Sequence, residues 1–448
     1  MDWKALETEA LELFRRLLRT DTQNPPGNET AACQVLAEYL EAHGISARIY
    51  EAVPGRGNLV AHLEGESGPR DRLVLSGHLD VVPVEGQAWS LDPFGAEIRD
   101  GFLYGRGAVD MKHMVAMSAV VLRALKDSGR RIVRGLTLAA VADEEVGGEV
   151  GAAHLVEAHP EEVQGRFYLG EVGGFTLRMG SGTAMPIQVA ERGRAVLRLR
   201  AAGPSGHGSL PQDASAVVRL AEAVGKVGRT VLPLHLGSSV EAFLADAAEL
   251  LGPVQGRILT GLSSPRVGRH LLKALGRLAP ERKGLFQAML TNTAVPTILQ
   301  AGTASNVVPA EAEAILDGRY LPGQTAEDLR REVQEVVGSD LEVEILSDAP
   351  PVEVQPFRTH FYDLLVEKVR EAWPDVRPLP SLTPGYTDAK HFSRLGLTCY
   401  GFTPVRMPAE VTFSELFHAP DERIPVQGFL DGLRLLYEVV EAYCCPIL

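Results

Sequence analysis

A chain of 448 residues exceeds what one ordinary hydrophobic core holds, so two domains are expected. With 45% hydrophobic and 23% charged residues it has the composition of a soluble globular protein. Its net charge of −14 argues against nucleic acid or an anionic membrane surface as a partner.

The first residues are polar and acidic and lack an apolar signal core. The longest apolar run, near Met114 to Leu122, is far short of the ~20 residues that cross a bilayer, and a cytoplasmic protein is expected. From Trp3 to Leu18, apolar residues at 6, 10, 13, 14, 17 and 18 follow helical spacing until Pro25, Pro26 and Gly27 break it. A second helix from about Glu29 to His43 closes at Gly44 and leads into strands at Ser46 to Tyr50 and Asn58 to Leu63. Helices and strands then alternate to about Gly182, with strands at Arg72 to Leu75, Leu136 to Val141 and Phe167 to Leu169. This is the layout of a three-layer α/β domain.

Chemistry begins where these strands stop. The apolar run Leu73-Val-Leu75 ends in Ser76-Gly-His-Leu-Asp80, where His78 and Asp80 point to one side, so that Asp80 can hold the imidazole while its other nitrogen meets a metal. Asp110 stands just before a helix in Gly105-Arg-Gly-Ala-Val-Asp-Met-Lys112, Asp143-Glu-Glu145 lies just beyond an apolar strand, and Glu171 follows Tyr168-Leu-Gly170. Ligands of open α/β sheets gather outside the carboxyl ends of strands, so these four segments can converge there. Each alone reads as a solvated loop; one histidine and several acids at successive strand ends do not. The glycine pairs nearby match neither phosphate-binding pattern.

From about Ile187 the character changes. A strand over Ile187 to Ala201 ends at Gly203-Pro-Ser-Gly-His-Gly-Ser209, and a helix from about Ser215 to Val227 follows. Roughly Val240 to Leu290 is helical and, between Arg257 and Lys283, locally basic, which reads as a solvated helical face. Strands return at Thr297 to Ala301 and Ala312 to Tyr320, then a helix capped by Thr325 with Asp328 at its third position, then a strand at Leu341 to Leu346. Strand, helix, strand, strand, helix, strand around a helical insert suggests a smaller α+β domain set into the first. The division is residues 1–186 and 351–448 for the larger domain and 187–350 for the inserted one, with the helical insert at about 235–290. The α/β pattern resumes with a helix from about His360 to Trp373, a strand near Leu397 to Gly401 and a closing helix from Val426 to Tyr443. The cysteines, Cys33, Cys399, Cys444 and Cys445, have no framework spacing and sit in no ligand-rich motif, which fits reduced thiols.

Gly77-His-Leu-Asp-Val-Val-Pro83, Gly105-Arg-Gly-Ala-Val-Asp-Met-Lys112, Asp143-Glu-Glu145 and Phe417-His-Ala-Pro-Asp421 closely resemble the dinuclear metallopeptidase family that includes aminoacylase, glutamate carboxypeptidase, acetylornithine deacetylase and succinyl-diaminopimelate desuccinylase. The similarity spans nearly the whole chain. Ala294-Val-Pro-Thr through Asn306-Val-Val-Pro309, Gly318-Arg-Tyr-Leu-Pro-Gly323 and the long helical insert look most like its carboxypeptidase S branch.

The resemblance implies a metallopeptidase catalytic domain with an inserted dimerisation or lid domain, and two divalent metal ions. Asp110 would bridge them, with His78 and Glu171 completing one site and Glu145 and His418 the other. Glu144 would be the general base, Asp80 the partner of His78, and the Asp110-Met111 peptide bond cis. Histidine nitrogen with carboxylates and no thiolate suits zinc first, with manganese or cobalt as alternatives. Two such ions against three ligand carboxylates leave about one positive charge, which a bridging hydroxide neutralises. Glu171 stands where many members carry Asp; aminoacylase and carboxypeptidase S relatives also use Glu.

For substrate, His207 resembles the inserted-domain histidine that reaches a partner subunit's site to stabilise the oxyanion, against the alternative of a loop histidine without a role. Asn306 and Arg319 match positions that hold a substrate carboxylate or the transition state. Gly385, with Thr387 and Asp388, resembles a loop that receives the carboxylate through backbone amides, although Pro384-Gly-Tyr386 replaces the usual glycine pair. The implied reaction is hydrolysis of an amide bond next to a free carboxylate, in an N-acyl amino acid or at the C-terminal residue of a short peptide, by a homodimer. A dipeptidase or a deacylase of a biosynthetic intermediate is the alternative within enzymes. A non-catalytic binding homologue is the alternative outside them, and retention of every ligand and of Glu144 argues against it.

Overall fold

Strands Leu73–His78, Leu136–Val141 and Phe167–Gly170 are apolar along their length because both faces of the sheet they form are covered. In the computed structural model, which describes residues 1–264, 266–278 and 280–446, every residue of these three strands is buried. The first pairs in parallel with the other two, and Phe167–Gly170 pairs in parallel with Thr398–Gly401. Ala47–Glu51 and Gly57–Leu63 extend the sheet antiparallel on one side; on the other, Gly182–Glu191 joins antiparallel and Val376–Thr383 follows it. Parallel pairing puts the carboxyl ends of the first three strands at one sheet edge, where His78, Asp143 to Glu145 and Glu171 lie.

Helix Lys112–Asp127 is buried almost all round, since it packs on the sheet beneath and on helices Trp3–Arg19 and Val426–Cys444 above. Phe14 stacks on Phe429 at 4.9 Å between ring centroids in that layer. On the opposite face Ala152, Leu155, Val156 and Phe392 close over Val74, Ala139 and Tyr168. Burying a side chain of this size stabilises by about 1.5–3 kcal/mol, so the two covered faces hold the sheet as a rigid base.

The chain divides into two compact units. The larger comprises Met1–Val189, Val354–Ser381 and the chain from Thr387 onward; the smaller comprises Ala190–Glu353 and Leu382–Tyr386. In place of a single strand over Ile187 to Ala201 there are two, Gly182–Glu191 and Gly193–Ala202, interrupted at Arg192. The reason lies in Arg192, which is buried and donates from Nη2 to the carbonyls of Thr291 (3.1 Å) and Arg319 (2.8 Å) and to Thr293 Oγ1 (3.0 Å). Three acceptors gathered by one guanidinium fix the break, which a run of alternating residues does not announce.

The smaller unit is a four-stranded antiparallel sheet in the order Thr293–Ala301, Glu311–Tyr320, Gly193–Ala202, Glu342–Ala349, backed by helices Ala216–Arg229 and Ala326–Val337. Period-2 burial along Gly193–Ala202 sends Ala195, Leu197, Leu199 and Ala201 into that core. Four helices, Ser238–Leu251, Pro253–Leu262, Gly268–Leu278 and Pro280–Leu290, form the insert, with Arg257, Arg266, Lys273 and Arg277 exposed. Among the described residues no helix is long and apolar enough to cross a membrane. Thr325 and Asp328 make a reciprocal capping box on Ala326–Val337. Thr325→Ala is expected to cost about 1 kcal/mol, read as a lower urea midpoint, because it strips one partner from the first-turn N–H groups.

Candidate metal centre

Five side chains from five segments of the larger unit converge into two groups that share Asp110. In the first, His78 Nε2 lies 2.9 Å from Asp110 Oδ1 and 3.6 Å from Glu171 Oε2. In the second, His418 Nε2 lies 3.2 Å from Asp110 Oδ2 and 3.1 Å from Glu145 Oε2. Asp110 thus turns one oxygen to each histidine. Within each group the donor atoms lie within 4.8 Å of one another. The Asp110-Met111 peptide bond is cis.

These residues fit divalent ions on their own chemistry. The donors are imidazole nitrogen and carboxylate oxygen without thiolate, and Glu145 Oε1 is buried with no hydrogen-bond partner. Charge tells the same story. Hydrogen bonds donated to Asp110 and then to Glu145 push the His418 imidazolium up to about 10. Burial disfavours a charged His78, but Asp110, Asp80 and Glu171 outweigh it, and the net shift is well upward. Burial raises Asp110, yet the two histidines draw it down below the usual carboxylate range. Such shifts mark a site that calls for positive charge beside its carboxylates, which divalent ions would supply.

Asp80 serves two groups at once. His78 Nδ1 bonds the backbone carbonyl of Asp80 at 2.9 Å, while its carboxylate stands 3.5 Å away. That carboxylate also accepts from the N–H groups of Glu144 (3.1 Å) and Glu145 (3.2 Å) and from Asn24 Nδ2 (2.9 Å). One buried residue therefore meets the first histidine through its backbone and side chain, and the Glu144-Glu145 turn through its side chain.

Asp143, in the left-handed region at φ 74°, begins the short helix Glu144–Val146. Arg56 anchors it, reaching Asp143 at 2.8 Å and forking onto the buried Glu29 at 2.7 and 2.8 Å. Arg56→Ala would leave Glu29 and Asp143 without their cation. We expect a loss of about 3–5 kcal/mol in urea denaturation, with faster hydrogen exchange at the Glu144 and Glu145 amides. Asn24, Arg56, Arg106 and Glu422 are the supporting residues that sequence reasoning did not assign.

Glu144 belongs to neither ligand group and is half-buried beside Glu145. Burial, then the charge of Glu171, pushes its carboxyl well above the ordinary range. Asp388 is buried with Oδ1 unpartnered, and burial raises it strongly too.

The expected substrate residues His207, Asn306, Arg319 and Gly385 lie in the smaller unit as two pairs. His207 sits on the short strand Gly206–His207, paired with Val307–Val308, and Gly208 N–H donates to the Asn306 carbonyl at 2.8 Å. The His207 ring is exposed, its Nδ1 2.7 Å from Ser209 Oγ. Arg319 is held by Asp317 at 2.9 and 3.2 Å and stacks 5.2 Å from the Tyr386 ring, next to Gly385. Its Nη1 is buried without a partner.

Comparison with known proteins adds to this geometry. The N-fatty-acyl-amino acid synthase/hydrolase PM20D1 of Bos taurus is 28% identical over 399 residues, covering 85% of this chain and 75% of that protein. Aminoacylase-1 of Sus scrofa is 27% identical over 445 residues, covering 97% and 95%. The fold is shared with an M20 family metallo-carboxypeptidase of Sulfolobus solfataricus, at a TM-score of 0.72 and 19% identity over 97% of this chain and 99% of that one. Residues 74–442 match peptidase family M20/M25/M40, so the chain, a metallohydrolase by family and by the donors it assembles, belongs to that family.

Proposed function

We propose that this protein hydrolyses an amide bond next to a free carboxylate, in an N-acyl amino acid or at the C-terminal residue of a short peptide. The observation that carries the reading is the pair of donor groups sharing Asp110 with a non-ligating carboxylate, Glu144, alongside. His78 and Glu171 would hold one divalent ion, Glu145 and His418 a second, and Asp110 would serve both. When bound, such ions supply the Lewis acidity that polarises the scissile carbonyl and lowers the pKa of the attacking water toward about 7. Glu144 takes the proton from that water and delivers it to the departing amine. Asp80 fixes the Glu144-Glu145 backbone, so the base keeps its place while the proton moves.

Arg319 and Asn306 receive the substrate carboxylate, joined by the Gly385 backbone amide, and His207 stabilises the developing oxyanion. The unpartnered Nη1 of Arg319 supports the first assignment. A homodimer is supported by the edge strand Thr293–Ala301, where Val295, Ile298 and Leu299 are exposed. Names of relatives agree with the chemistry, since an aminoacylase, an N-fatty-acyl-amino acid synthase/hydrolase and a probable carboxypeptidase S-like protein are among them.

The test is release of free amine from a panel of N-acyl amino acids with short and fatty acyl chains, set beside dipeptides and C-terminally amidated controls, with added zinc, manganese or cobalt. Metal-dependent release from members with a free carboxylate is expected. Equal release from the amidated controls would overturn the substrate reading. Preference for a free amino terminus would move the assignment to a dipeptidase.

A further inference from the structure

Two residues of the second ligand group, Asp110 and His418, come from loops far apart in sequence, and a chain of polar groups joins them. Glu422 is fully buried, and so, to 1% exposure, is Arg106. One oxygen of Glu422, Oε1, accepts from the N–H groups of Val109 (2.8 Å) and Asp110 (3.2 Å). The other accepts from Arg106 Nη1 at 2.6 Å. Arg106 Nη2 continues to Gln87 Oε1 at 2.6 Å, and Gln87 Nε2 donates to the backbone carbonyl of His418 at 2.8 Å. Arg106 also approaches that carbonyl and the one of Ala419, at 3.4 and 3.3 Å, and lies over the Trp89 ring at 5.2 Å.

Burying an ion pair is costly, and a pair of hydrophobic residues would fill the space with less desolvation. What the charged pair does that they cannot is accept and donate at fixed angles. Both ends of its bonding chain land on ligand-bearing backbone, Asp110 at one end and His418 at the other. The His418 backbone is itself in the left-handed region at φ 58°, a conformation that needs holding in a residue other than glycine.

We propose that Glu422, Arg106 and Gln87 are positioning residues that set the spacing of Asp110 and His418, and that they govern affinity at the group Asp110, Glu145 and His418 more than at the group His78, Asp110 and Glu171. The inference rests on the metal reading given above. Outer partners of metal ligands act on affinity through ligand orientation, commonly by 10- to 100-fold. Glu422→Gln keeps a carbonyl for the amides of Val109 and Asp110 and removes the acceptor that Arg106 needs. Gln87 is half-buried, so Gln87→Ala cuts the bond to the His418 carbonyl without placing a new charge in the core.

The experiment is titration of metal-free protein with zinc in competition with a chromophoric chelator, alongside urea denaturation of each metal-free variant. Wild type should show two tight sites. Gln87→Ala should show one unchanged and one weakened on the order of 10-fold, and Glu422→Gln the same pattern with a loss of roughly 10- to 100-fold. Should Glu422→Gln fail to fold, Gln87→Ala carries the test. Two sites of wild-type affinity in the folded Gln87→Ala protein overturn the proposal, as does equal weakening of both, which a general structural role predicts. A wild type that takes up no zinc removes the metal reading itself and this inference with it.

Discussion

Glu144→Gln is expected to lower kcat for amide hydrolysis by roughly 10²–10⁴ while zinc stoichiometry stays that of the wild type. The substitution keeps shape and hydrogen-bonding reach and removes only the capacity to hold a proton and release it. Because Glu144 is outside both ligand groups and its N–H rests on Asp80, neither the ions nor the turn depend on its carboxylate. Glu144→Asp retains the charge one methylene further from the water, so partial activity is expected from it. A Glu144→Gln enzyme with wild-type kcat would remove the general-base role, whatever its metal content.

Asp110→Asn tests the other half of the mechanism. Among the described residues Asp110 alone belongs to both groups, with one oxygen toward each histidine. An amide nitrogen cannot ligate, so at least one ion loses a donor and the shared charge is gone. We expect zinc uptake to fall from two equivalents to at most one and turnover to fall to background. Stability should report the same loss: a ligand at a thousand times its Kd stabilises the folded state by about 4 kcal/mol. Zinc should therefore raise the melting temperature of wild type, and chelator should reverse the rise, whereas the variant should respond far less. Undiminished two-site zinc binding by Asp110→Asn would show that the carboxylate is not shared.

The two substitutions separate chemistry from binding, and they also show what a sequence discloses. His78, Glu145 and Glu171 were legible because each stands at or just beyond an apolar strand run, Asp110 because it stands just before an apolar helix, and His418 because its motif resembles that of a known family. The capping of Ala326–Val337 by Thr325 and Asp328 was legible for the same local reason. What stayed hidden depends on partners distant in the chain. Glu422 acts on Val109 and Asp110 from 313 and 312 residues away, and Arg56 reaches Asp143 across 87. That Asp80 also carries the Glu144 and Glu145 amides stayed hidden too, because side-chain alternation says nothing of partners 64 and 65 residues away. The strand break at Arg192 has the same origin, since the acceptors that hold it come from residues 291, 293 and 319.

The four cysteines carry a practical consequence. Cys33, Cys399, Cys444 and Cys445 are all buried, and none forms a disulfide. Burial pushes the thiols of Cys33, Cys444 and Cys445 upward, away from the reactive thiolate. A cysteine introduced at an exposed position of either unit would then be the fastest-reacting thiol toward a maleimide dye at neutral pH. Two such handles, one per unit, would let fluorescence report on each unit without first stripping the native cysteines from the core.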